Sequence, residues 1–191
     1  MIETADGPVA VEHLAVGDRL ITHEGAREPI VWIGSRRVDC EVHPAPETVW
    51  PVRVSAGAFG PNTPMRDLYL SPDHAVFVDG VLVPVKLLID GTTIVQVERD
   101  RVRYFHVELP AHQVILAEGL AVESYLDTGD RANFTEGGTA IRLFPDFGAR
   151  LSPAMAVEWE TRAAAPLIMT GPRLEAARMR VCGPEPMRVT G

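Results

Sequence analysis

The sequence predicts a mainly β protein, closed or folded over on itself, with a small C-terminal appendage of loops and short helices. Three observations lead there. Up to about residue 125, short segments rich in Val, Ile, Leu and Tyr alternate with Gly, Pro and Asp. Asp79-Gly80 stands between two apolar runs, where glycine tolerates the positive φ of a tight primed turn, and Asp90-Gly91 reads as a second turn of the same kind. Beyond residue 125 the composition changes, first to Gly, Asp, Asn and Pro, then to helix formers.

Taken in order, strands are expected at Asp18–Thr22, Ile30–Ile33, Val49–Val54, Leu68–Leu70 and Ala75–Val78. Four more follow at Val81–Val83, Thr93–Val97, Tyr104–Glu108 and Gln113–Ala117. His23-Glu24-Gly25 is a weaker turn signal. Many short strands with few helical periods argue for an all-β architecture. A short helix fits Val85–Ile89, and Val11–Val16 is either a helix or a turn before Gly17-Asp18. Residues 126–150 read as a loop-rich connection. Pro153–Ala164 and Pro172–Val181 then carry Ala, Glu, Arg and Met. Pro172 suits the first helical position, where its missing N–H costs nothing, and Gly183-Pro184 is a natural stop. The expected division is a β domain over 1–130 and an extension over 131–191.

Composition narrows the function. The 191 residues hold 26 acids against 18 Lys and Arg, for a net charge of −8. A nucleic-acid binder needs the opposite sign to neutralise phosphates, so nucleic acid is not an expected partner. Cys40 and Cys182 stand far apart, without CxxC or Cys/His clustering, so neither a metal site nor any other cofactor is expected. Two free thiols are anticipated, with a Cys40–Cys182 disulfide as the alternative. No apolar run has transmembrane length, and the N-terminus lacks the basic and apolar regions of a signal peptide. A cytoplasmic location is the default, and export by a non-classical route the alternative.

Four blocks carry more than composition. Thr4-Ala5-Asp6-Gly7-Pro8-Val9-Ala10-Val11-Glu12 leads through Leu14 to Val16-Gly17-Asp18. Leu70-Ser71-Pro72-Asp73-His74 forms a second block. Tyr104-Phe105-His106-Val107-Glu108 is followed by His112 and Glu118-Gly119, and the last block runs from Ala121 to Gly129. Their order and spacing over most of residues 1–135 resemble the bacterial Hint (hedgehog/intein) domain family. Trp50-Pro51-Val52-Arg53 and Ser55–Gly60 fit the same branch. The resemblance implies a Hint-like, pseudo-two-fold β-fold and self-processing chemistry acting on the chain's own upstream polypeptide segment.

In that chemistry a Cys or Ser attacks the carbonyl of the peptide bond before it, exchanging an amide for a thioester or ester. Peptide resonance resists attack, so the amide must be oriented and polarised. The resemblance gives Ser71 to amide orientation, His74 to general acid/base work, and His112 to support of the same site. Two departures accompany it. The family nucleophile lies on the strand before Thr4, and Met1 falls inside that strand, so the cysteine is expected just upstream of the numbered start; neither Cys40 nor Cys182 matches its position. Intein-type domains end in His-Asn, and Glu123 and Ser124 stand there. The sequence therefore reads as a self-cleaving (autoproteolytic) domain by ancestry, inactive as numbered, without turnover.

The plainer readings remain open at single residues. Ser71 fits an ST-turn before Pro72, Asp73 a turn or a charge partner for His74, and His112 an exposed turn. His106 and Cys40 need no role, and Arg66-Asp67 reads as an ion pair. The alternative at the level of the whole chain is a non-catalytic β-rich binding module of a secreted or surface protein. A Ser71–His74 hydrolase ranks last, because no nucleophile-elbow glycine pattern surrounds Ser71.

Overall fold

The turns set the strand breaks, and they set the architecture with them. The computed structural model describes residues 1–128, 131, 134 and 159–182. Along the described residues run thirteen strands. β1 (Ile2–Thr4), β2 (Gly7–Val9), β3 (Arg19–Ile21) and β4 (Arg27–Pro29) come first, then the long β5 (Trp32–Asp39). β6 (Val52–Val54), β7 (Leu68–Leu70), β8 (Ala75–Val78) and β9 (Val81–Pro84) follow. β10 (Ile94–Gln96), β11 (Arg101–Glu108), β12 (Val114–Ala117) and β13 (Leu120–Glu123) complete the set.

Eight of these form one sheet in the order β4-β3-β1-β12-β13-β8-β9, with β2 also on β1. The sheet therefore brings the first strand against the last hairpin, Ile2 opposite Ala117. A three-stranded sheet, β10-β6-β7, and the long antiparallel ribbon β5–β11 complete the β-structure. The ribbon pairs from Trp32 opposite Glu108 to Asp39 opposite Arg101.

Asp79-Gly80 is the hairpin loop between β8 and β9, with φ of 46° and 79° at its two residues, the geometry of a type I′ turn. Asp90-Gly91 is different. It is a loop in which the Asp90 carboxylate accepts the backbone N–H groups of Thr92, Thr93 and Ile94, so a side chain supplies the acceptors that a partner strand would. Val85–Leu88, Val11–His13 and Pro46–Thr48 are 3-10 turns rather than longer helices.

The main core joins the large sheet to the three-stranded one. Leu20, Ile30, Val52, Val54, Val76, Val83, Ile94 and Val122 are fully enclosed in it. Helix α1 (Pro172–Cys182) starts at the expected proline and adds Leu174 and Ala177, three apart on one face, to the same core. Arg178 ties it down by donating to the Leu87 carbonyl. Before α1, the Leu82 N–H donates to the Pro166 carbonyl and the Ile168 N–H to the Leu82 carbonyl, so this segment adds to the outer edge of β9. Of the helix expected over Pro153–Ala164, residues 159–162 are helical, and the part before Trp159 lies outside the described residues. The Gly183-Pro184 stop and most of the 126–150 connection also lie outside them.

Candidate functional site

The Ser71–His74 block is a tight turn between β7 and β8. The His74 N–H closes it on the Ser71 carbonyl at 3.0 Å. The 3-10 turn after β9 locks it from outside: Lys86 N–H donates to the Pro72 carbonyl, Val85 N–H to the His74 carbonyl, and the Lys86 ammonium pairs with Asp73. Asp73 thus spends its charge on Lys86. Ser71 is buried.

The second component is the β12–β13 hairpin. Its loop, Glu118-Gly119, has φ of 50° and 80°, which glycine tolerates and glutamate adopts at a cost. Glu118 is anchored there from three sides. Its backbone N–H donates to the Met1 carbonyl, and its carboxylate meets the Met1 amino group and both nitrogens of the Arg66 fork. Arg66 therefore pairs across 52 residues with Glu118 rather than with its neighbour Asp67, whose carboxylate accepts the Ala56 N–H.

The open end of the hairpin holds His112 and Ser124. The His112 side chain is fully enclosed. Its Nδ1 accepts the Ala164 N–H at 2.9 Å, so the ring proton sits on Nε2 and is donated to the Ser124 carbonyl at 3.0 Å. Trp159 covers the ring edge-on, with centroids 5.4 Å apart. Glu123, on the adjacent position of β13, lies between the two imidazoles. Its Oε1 accepts the Ala75 N–H at 2.7 Å, and Oε2 is 3.7 Å from His112 Nε2.

These components meet at a cavity of about 150 Å³. Met1, Ser71, His74 and Glu123 open onto it, together with apolar walls from Leu70, Val107, Ile115 and Val122. Of the three expected site residues, Ser71 and His74 share this cavity with Met1, while His112 is not among its lining residues and stands behind Glu123. His74 Nε2 is buried and has no hydrogen-bond partner among the described residues. Burial lowers the His74 pKa, against the opposing pull of Glu123. His106 on β11 stacks 5.9 Å from His74, and its Nε2 is also buried without a described partner. Burial, with smaller contributions from His74 and Arg36, pushes His106 down to about 3. The other side of His106 belongs to an aromatic group of Trp32, Tyr125 and Phe134, with Arg131 over the Trp32 ring.

Glu123 and His106 are the two groups here that sequence reasoning did not assign to the site. Glu123 follows an ordinary strand pattern, and only the register of the hairpin carries it to Ala75. Among the described residues no three His, Cys, Asp or Glu gather as a metal site would require.

The family model described as "Hint domain" matches residues 1–129. The chain belongs to the Hint domain family. Solved structures similar to this Hint domain include the crystal structure of the MchDnaB-1 intein (N145AA), at 14% identity and a TM-score of 0.45, covering 65% of this chain and 95% of that one. Another is the solution structure of the bacterial intein-like domain from Clostridium thermocellum, at 16% identity and a TM-score of 0.41, covering 65% and 94%. No curated protein matches the chain. The Hint domain is mainly β, as its sequence predicts, and α1 is packed onto it.

Proposed function

We propose that this Hint domain carries the machinery of an N-to-S acyl shift and that its upstream polypeptide is the substrate. The observation that supports it best is the cavity, where an unpartnered imidazole nitrogen and a buried hydroxyl open beside Met1. In this reading Ser71 orients the scissile amide. Burial keeps His74 as the free imidazole, ready to take the proton of an attacking thiol. The thiolate adds to the carbonyl carbon, the C–S bond forms, the C–N bond breaks, and His74 returns the proton to the departing nitrogen. His112 holds the β12–β13 hairpin in register behind them.

Among the described residues no cysteine lines the cavity. Cys40 packs with Val38, Val49 and Tyr104 in a separate cluster. Glu123 and Ser124 stand where an intein-type domain carries His-Asn, which leaves Asn cyclisation without its residue. The 191 residues are accordingly read as inactive by themselves.

The test is a set of reporter fusions ahead of Met1, each with a single Cys at a successive upstream position in the linker. At least one fusion is expected to shed its reporter when a small thiol is added, followed by intact mass. Adding His74→Ala should stop it, and the fusion without a linker Cys should stay whole. If no position gives thiol-dependent release, the acyl-shift reading is wrong.

A further inference from the structure

The acyl-shift reading leaves the one carboxylate that lines the cavity unused. Glu123 is drawn in until its side chain is 13% exposed, and neither Lys nor Arg pairs with it among the described residues. A carboxylate withdrawn from water costs free energy unless its surroundings return it. What returns it here is specific. β13 pairs with β8 at Val122 opposite Val76. Just past that pair, two contacts hold the Glu123 carboxylate: it takes the Ala75 N–H, on the residue after His74, and it faces His112 Nε2 at 3.7 Å.

The first contact does not require a charge. A glutamine oxygen would accept the Ala75 N–H equally well. The charge matters to the imidazole. His74 faces His106 from β11, with Arg36 behind it on β5, and His112 from the segment before β12. Its neighbour Asp73 is engaged by Lys86 of the 3-10 turn, and Arg103 of β11 lines the same cavity. Glu123 is thus the anion set against a ring otherwise surrounded by imidazoles and cations.

We propose that Glu123 is the positioning residue of this site: its carboxylate, fixed on the Ala75 N–H beside His74, supplies the negative charge against which that ring takes up a proton at its free nitrogen. The role rests on the acyl-shift reading, in which His74 must first accept a proton and then deliver it to the departing nitrogen. Burial leaves the ring without a proton beforehand but weakens it as a base, so by itself it opposes the accepting half. A fixed carboxylate lets the ring hold the proton for the second half.

The experiment has two arms. In the first, the ring protons of His74 are titrated by NMR in the 191-residue chain, in Glu123→Gln and in Glu123→Asp. Glu123→Gln keeps the Ala75 contact and removes only the charge, so the His74 midpoint should fall by about one pH unit with the amide fingerprint preserved. Glu123→Asp should recover part of the difference. In the second arm, the same changes are made in a cleaving Cys fusion. Glu123→Gln should slow release about tenfold at neutral pH and move the acid limb of the pH profile downward, in step with the midpoint. An unchanged His74 midpoint in a folded Glu123→Gln chain overturns the proposal. A shifted midpoint with fusions that never cleave leaves the Glu123–His74 coupling standing and overturns the acyl-shift reading instead.

Discussion

His106 makes the domain acid-sensitive in a way that can be calculated. The ring is neutral in the folded chain down to a pKa of about 3, against 6.5 for a free histidine, because burial and the neighbouring His74 and Arg36 oppose its charge. The unfolded chain therefore binds the proton first as pH falls. Stability from this group is complete above pH 6.5 and is lost on going down, at about 1.4 kcal/mol per pH unit until the folded ring also titrates. Between pH 7 and pH 4.5 the loss is roughly 2–3 kcal/mol from His106 alone. His74, also lowered by burial, acts in the same direction. Carboxylates lose stability in this range too, so the measurement is a difference. Urea unfolding followed by circular dichroism would be run across this range on the parent and on His106→Phe, whose ring suits contacts with Phe134 and Tyr125. The variant should lose roughly 2–3 kcal/mol less than the parent on acidification. Parallel stability curves for the two proteins would refute the account.

Two further outcomes follow from the packing. His112→Phe keeps the ring but strands the buried Ser124 carbonyl and releases the N–H of the exposed Ala164, and should cost about 1–3 kcal/mol in urea unfolding. A cost below about 0.5 kcal/mol would mean that water replaces both bonds. Gly34→Ala places a Cβ 2.0 Å from the Trp32 indole. The indole is held by Tyr125 and Phe134, so it must leave that group, at about 1–3 kcal/mol and with a shift in Trp fluorescence.

The legible parts of this chain are the local ones. β7 and β8 match their expected ends because β7 stops at a proline turn and β8 runs from that turn to an Asp-Gly turn, and nothing else overrides them. Pro172 announces α1 for the same reason. The sequence predicts a strand at Ile30–Ile33, yet β5 continues to Asp39 through Gly34-Ser35-Arg36-Arg37, residues that look like a loop. Pairing with β11 over the full ribbon outweighs that composition, and Ser35 and Arg36 are buried in the process. β2, β4 and β13 are three or four residues long and have meaning only once their partners are in place. The site divides along the same line. Ser71 and His74 sit in one four-residue turn and can be read together. The contact of Glu123 with Ala75 spans 48 residues, and that of His112 with Ala164 spans 52, so no local pattern announces either.

The segment that leads into α1 also settles how the large sheet ends. β9 is buried along its whole length, and its outward polar groups at Leu82 are taken by Pro166 and Ile168. A domain cut back to residue 130 would bare that valine-rich strand as an unpaired edge, a template on which another copy could add a strand of its own. A form shortened in this way is expected to oligomerise or precipitate more readily than the 191-residue chain.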